Sequence, residues 1–273
     1  MILSHFEARP NYTFVEFDYK QLEIRVLALA SGDKQLIDDI NRGVDMHTYF
    51  AAQIFNKAEE EISPGERKMA KGFSFQLQYG SSANGIARFW DVSKLLAEAF
   101  IDKYYQRYPQ VRSWQQGVLS EASDTIQYAG DRREGLSVQR AYIPTTWRSE
   151  FDVPLARFKV LSEPTMHSRK PYVSTTKCKN YPIQGAAADI MILMLNRLSK
   201  AIWGTNSHIL NTVHDSVLLE HPDYALDKRT AEGKRILEDV PSVLREVLGV
   251  EAPVEFPVDF SCGKTLSEVK GVV

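Results

Sequence analysis

Short strand-like patches alternate with longer helix-like stretches along this chain, and no repeat or low-complexity tract interrupts them. Residues 14–17 alternate apolar and acidic side chains, which predicts a short strand. Residues 21–30 continue as a helix closed by Gly32-Asp33, and 34–55 are helical with polar interruptions. Ser63-Pro64-Gly65-Glu66 marks a helix start: a capping hydroxyl, a proline in the first turn and an acid near the positive end of the dipole. Residues 95–108 and 111–123 read as two helices parted by Pro109. Gly130 and Gly135 among β-formers in 128–144 predict a hairpin, and 145–173 is basic, proline-punctuated and irregular. A helix is expected over 184–203, and a hairpin over 209–220 with His214-Asp215 at its tip. A helix from 227 to about 248 and a strand over 254–261 end the pattern. This mixed order argues for an α+β fold rather than regular βαβ winding.

Two features of this pattern carry chemistry. Asp18 and Asp215 each sit where a hydrophobic strand gives way to a turn, where two carboxylates could hold paired metal ions. A single aspartate at a turn is commonly just a turn former or cap. In the helix after Pro64, Arg67, Lys71, Phe75 and Tyr79 recur every four residues, forming one slanting stripe about 18 Å long. Met69, Phe73 and Leu77 fall on roughly the opposite side and can anchor the helix. Cations suit a triphosphate, and aromatic faces suit the sugar and base beyond it. On a lone helix such aromatics would more often be core.

Composition is that of an ordinary globular protein, 44% hydrophobic and 25% charged, with no apolar run long enough for a membrane span and no secretory signal. Cys178 and Cys262 lack CxxC spacing, so neither a disulfide framework nor a zinc site is indicated and a cytoplasmic setting is the default. The net charge of −2 does not favour a nucleic-acid partner. Locally, however, residues 132–179 hold ten basic side chains against four acidic ones. Alone, that bias reads as a solvated loop region.

The motifs resemble a known family. Asp18-Tyr19-Lys20-Gln21-Leu22-Glu23-Ile24-Arg25 is similar to the first signature of family A DNA polymerases, the class of bacterial DNA polymerase I. Residues 67–80 resemble the family's fingers helix, Val213-His214-Asp215-Ser216 its third signature, and Asn180-Tyr181-Pro182-Ile183-Gln184-Gly185 a segment that contacts template and primer. The resemblance implies that Asp18 and Asp215 bind two Mg²⁺ ions, with Mn²⁺ able to substitute. It implies that Arg67 and the catalytic Lys71 grip the incoming triphosphate, and that His47 reaches the phosphates. Gln21, Phe75 and Tyr79 would line the nucleotide pocket, and Glu23 would be the steric gate against a ribose 2′-hydroxyl. Asn180, Gln184 and His214 would contact DNA. Without the resemblance, His47 reads as structural and Glu23 as a solvated helix charge.

The implied architecture is a palm of antiparallel sheet with helices (1–33 and 173–273) and a mostly helical fingers subdomain with a connecting hairpin (34–172). The implied partners are primer-template DNA, dNTPs and a second polypeptide. Nothing ahead of Asp18 can supply the family's thumb or exonuclease lobe, so a fragment or one half of a phage-type split polymerase is expected, in the host cytoplasm if phage-encoded. Departures from the family pattern are Ser74 and Gln76 flanking Phe75, Lys68, Thr176, Leu266, and Ser216 where an acid usually follows the aspartate. Two other readings remain open. A single-subunit RNA polymerase fits His214-Asp215-Ser216 but is opposed by Glu23 and Phe75. A non-catalytic nucleic-acid-binding subunit fits the altered residues around Phe75.

Overall fold

The computed structural model describes residues 2–124, 127–129, 138–143, 157–160 and 175–270. In chain order, strand β1 (Tyr12–Tyr19) leads into helices α1 (Leu22–Ser31), α2 (Lys34–Asn41), α3 (Met46–Phe55), α4 (Pro64–Gln78), α5 (Ala83–Trp90), α6 (Lys94–Arg107) and α7 (Pro109–Asp124). Strands β2 (Gln127–Ala129), β3 (Val138–Ile143) and β4 (Arg157–Val160) follow, then α8 (Thr175–Ile202) and the hairpin of β5 (His208–Val213) and β6 (Ser216–Pro222). Helices α9 (Leu226–Glu238) and α10 (Val240–Leu248), strand β7 (Val258–Gly263) and the short α11 (Leu266–Val269) complete the chain. The expected α+β class holds. Among the described residues no helix is long and apolar enough to cross a membrane.

The chain divides into two compact units, Met1–Val26 with Ala186–Val273, and Leu27–Gly185. The first is built on an antiparallel sheet ordered β5-β6-β1-β7. Its central strand β1 is buried from Thr13 through Phe17, because α9 also lies against it. At the contact, Gly233 of α9 meets the Phe17 ring, where even an added methyl carbon would lie only 3.1 Å away. Glu16 therefore does not face solvent as its place in an alternating strand suggested; it is 7% exposed.

The second unit has an aromatic core in which Phe50 of α3 and Phe73 of α4 pack on Phe100 of α6, with centroids 5.6 and 5.2 Å from its ring. Two buried aspartates tie its helices together. Asp33 caps α2 through Gln35 and Leu36 and also accepts from the Gln110 and Val111 amides at the start of α7. Asp39 accepts from Arg107 twice at 2.7 Å and from Tyr108 and Gln35. The expected hairpin is the β2–β3 pair; Gly130 and Gly135 lie outside the described residues. Of the stretch expected to be irregular, residues 157–160 form β4.

Three expected boundaries are corrected. Helix α8 begins at Thr175 rather than near Gln184 and carries Pro182 inside it. Interior proline costs a helix about 3 kcal/mol, and burial offsets it: Cys178 is fully buried against Val118, with Trp114, Leu119 and Tyr181 around them. The single helix expected after Asp227 is two, divided at Asp239, because Pro241 is accommodated only in a first turn. The last strand starts at Val258, after Pro257, and not at residue 254. Helix α5, capped by Ser82, had no counterpart in the sequence reading.

Among the described residues each unit buries one histidine, His47 and His221, 2% and 1% exposed, and burial pushes both down to about 4. The unfolded chain takes up protons below about 6.5 that these rings refuse until about 4, so folding stability is full above that window and declines through it. The expected decline is up to about 1.4 kcal/mol per pH unit for each ring. Urea unfolding across the window measures it; a flat profile would contradict neutral, buried rings.

Candidate functional site

In the sheet unit, β1 runs to Tyr19 beside the β5–β6 turn. Asp18 pairs in register with Ser216, and the Tyr19 amide donates to the Asp215 carbonyl over 3.1 Å. Asp215, in the turn, is thus a neighbour of Asp18 near the end of β1, close enough for the two charges to repel. The turn is a two-residue loop, as tight hairpins prefer, with His214 in the left-handed region at φ +55°. Partial burial pushes the Asp18 carboxyl up, and repulsion from Asp215, Glu16 and Asp259 adds to this, while Lys270 opposes it. Among the described residues no group of three or more His, Cys, Asp or Glu is spaced to hold a metal. The donor set is the two carboxylates, hard oxygens gathered against their own repulsion, which suits a divalent ion that completes its shell with water and phosphate.

Beneath this pair Glu16 is held from two sides. The Ser216 hydroxyl lies 3.0 Å from its Oε1, and the Lys270 ammonium contacts the same oxygen. Asp259, in register with Asp18 on β7, pairs with Lys20 at 2.8 Å.

In the helical unit, α4 starts on a reciprocal cap. The Ser63 hydroxyl accepts from the Glu66 amide, and Glu66 accepts from the Ser63 amide at 2.9 Å. Phe73 and Leu77 are buried, and Met69 is half-buried, as the stripe requires. Arg67 and Lys71 are exposed. Lys71 Nζ sits 5.7 Å from the Phe75 centroid, and Phe75 stacks on Tyr79 at 6.3 Å. His47 lies 6.1 Å from the Phe75 ring, and neither ring nitrogen has a hydrogen-bond partner among the described residues. The structure therefore brings His47, Arg67, Lys71, Phe75 and Tyr79 together within one unit. It adds one residue the sequence reading passed over. Asp45 caps α3 and accepts from Arg67 Nε at 2.7 Å. Hydrogen bonds from Arg67 and Thr48 outweigh the effect of burial and pull its carboxyl down to about 2. Its place two residues before His47, at a helix start, was the available signal.

Two glycines in this unit are dictated by close approach. A Cβ at Gly72 would fall 1.9 Å from the Trp90 ring, so Trp90 of α5 can lie this close to α4 because residue 72 is glycine. Gly80 has φ +81° and a Cβ there would lie 2.8 Å from the Thr176 backbone, at the head of α8.

The family model of DNA polymerase family A matches residues 1–268. The chain belongs to DNA polymerase family A. It is 33% identical to the thermostable DNA polymerase I of Thermus thermophilus over 235 residues, 86% of this chain and 26% of that protein. It is 32% identical to DNA polymerase I of Lactococcus lactis subsp. lactis over 256 residues, 93% of this chain and 26% of that protein. Its fold is similar to the POL domain of Pol1 from M. smegmatis, solved in complex with DNA primer-template and dNTP. That match has a TM-score of 0.75 and 26% identity, covering 98% of this chain and 42% of the other. The chain spans about a quarter of the length of the curated relatives it matches.

The remaining candidate residues of this family A chain fall into both units. Gln21, exposed and at φ +54°, and Glu23, in the first turn of α1, belong with Asp18, Asp215 and the exposed His214. Asn180 and Gln184 lie one turn apart on α8, in the helical unit; Gln184 is exposed and Asn180 Oδ1 is buried without a partner among the described residues. The residues at the altered family positions are accommodated. Ser74 is buried and its hydroxyl donates to the Ala70 carbonyl, while Ser216 bonds toward Glu16. Most of the basic 132–179 stretch lies outside the described residues; of its described members, Lys179 is pushed down by burial and by Arg112.

Proposed function

We propose that this chain is the catalytic core of a template-directed DNA polymerase, extending a primer 3′-hydroxyl with deoxynucleotides. The observation that carries it is the adjacency of Asp18, near the end of β1, and Asp215, in the β5–β6 turn beside it, in a chain of family A. The sheet unit then serves as palm and the helical unit as fingers, with residues beyond the matched quarter, in this or a second polypeptide, holding the duplex. Asp18 and Asp215 would hold two divalent ions, Mg²⁺ or Mn²⁺, which when bound would lower the pKa of the 3′-hydroxyl and offset phosphate charge. Arg67 and Lys71 neutralise the triphosphate and the charge growing on the leaving pyrophosphate. His47, neutral above about pH 4, adds a hydrogen bond rather than a charge. Phe75 and Tyr79 offer stacked faces to sugar and base. Glu23 occupies the space a 2′-hydroxyl would need, and Gln21 lies beside it at the start of α1. Asn180 and Gln184 on α8, with His214 at the hairpin tip, contact the primer-template.

Primer extension with dATP or ATP, with Mg²⁺ or a chelator, tests this reading. Mg²⁺-dependent extension with dATP is expected, and Glu23→Ala should raise the ATP-to-dATP incorporation ratio by at least about tenfold, ~1.4 kcal/mol. A wild type that prefers ATP would instead be an RNA polymerase. Primer-template binding with no extension, unchanged by Asp215→Ala, would leave a non-catalytic binding subunit.

A further inference from the structure

We propose that Lys270 is a built-in counter-ion of the metal site and that Glu16 is a third carboxylate which Lys270 withholds from the metal; this rests on the two-metal reading above. Four acids converge at one end of the sheet. Glu16 and Asp18 are two apart on β1 and so share a face, Asp259 lies opposite Asp18 on β7, and Asp215 is in the adjoining turn. Among the described residues, two lysines answer them. Lys20 pairs with Asp259 where both side chains are well exposed, 49% and 68%. Lys270 pairs with Glu16, whose side chain is only 9% exposed.

The Lys270 side chain is itself 37% exposed, but the backbone that carries it is anchored. It caps α11, whose own start is locked by the Thr265–Glu268 reciprocal cap, and the preceding Val269 is buried and accepts from Ser261 of β7. A buried carboxylate stripped of its cation is among the costliest groups a fold can carry. With Lys270 in place the metal-free site keeps Glu16 neutralised, and Asp18 and Asp215 alone are left for incoming ions. Without it, Glu16 retains, among the described residues, only the Ser216 hydroxyl, and a divalent ion held by the neighbouring aspartates would supply positive charge close by.

Titration with Mn²⁺ alone, followed by electron paramagnetic resonance without DNA or nucleotide, tests this on the full chain. Lys270→Met should bind Mn²⁺ about tenfold tighter than wild type, a coupling of ~1.4 kcal/mol. Its thermal unfolding midpoint should fall in EDTA and rise further than wild type on adding Mg²⁺. Glu16→Gln/Lys270→Met should return both readouts to wild-type behaviour, which a purely structural lysine would not allow. Equal Mn²⁺ affinity in wild type and Lys270→Met overturns the proposal, as does tight binding that persists in the double variant. If Lys270→Met unfolds in EDTA, refolding with Mg²⁺ supports the proposal and continued unfolding overturns it; a double variant that also fails to fold overturns it too. Asp18→Asn, measured alongside, separates the two levels: unchanged Mn²⁺ binding there would sink the two-metal reading itself.

Discussion

Asp18→Asn and Asp215→Asn should each cut single-turnover primer extension by at least about a thousandfold, ~4 kcal/mol of barrier, and leave the chain folded. Either change removes one of two carboxylates that the end of β1 and the adjoining β5–β6 turn bring near each other. The predicted effect on stability runs opposite to that on activity. The Asp18 carboxyl is pushed above its ordinary value by burial and by its acidic neighbours, so the folded state favours the protonated form and is destabilised once that group ionises. At neutral pH Asp18→Asn removes that repulsion, and its unfolding midpoint should match or exceed wild type, the trade-off expected at a site arranged for chemistry. Extension at the wild-type rate by either variant would end the catalytic assignment. A marked loss of stability in Asp18→Asn would mean that its carboxylate is a structural partner instead.

Asp39→Ala should be the most destabilising single substitution in the helical unit, by about 3–5 kcal/mol, because it strands a charge among buried groups. Asp39 is 1% exposed and receives Arg107 through two 2.7 Å bonds, with Tyr108 at 2.7 Å and Gln35 at 2.9 Å. The Arg107 guanidinium also lies 3.9 Å from the Tyr49 centroid, so its position serves α3 as well. Burial alone would raise the Asp39 carboxyl; the hydrogen bonds from Arg107, Tyr108 and Gln35 outweigh it and hold the group below its ordinary value. Its stabilising effect is therefore complete above that value, 3.8, and is lost as acid brings the pH down through the depressed one. For a unit of this size the unfolding midpoint should drop by roughly 10 °C. A loss under about 1 kcal/mol would show that the network is replaceable by water.

Much of this arrangement was legible in the chain. Local signals with strong chemistry translated directly: Ser63 and Pro64 did start α4, His214-Asp215 did form the hairpin tip, and the Arg67-to-Tyr79 spacing did set one face. What stayed hidden depended on partners far along the sequence. The residues before Gln184 gave no helix signal, because nothing local reveals that Cys178 is buried against Val118 and that Pro182 lies inside the helix. Glu16 looked like the solvent side of an alternating strand, yet Ser216, two hundred residues on, and Lys270, farther still, make burial tolerable. Asp45 drew no notice, since its bond to Arg67 spans 22 residues and joins two helices.

The outer rim of the sheet has its own consequence. Strand β5 is paired on one side among the described residues and leaves Leu210 and Val213 each 46% exposed. Such a rim is a docking rail on which a strand of a neighbouring molecule could anneal and start fibrous association. The pairing with β6 skips Leu210, and that one surplus residue bends the rail so that a straight incoming strand cannot keep step along it. A kink that looks like imperfect pairing thus helps to keep concentrated molecules apart.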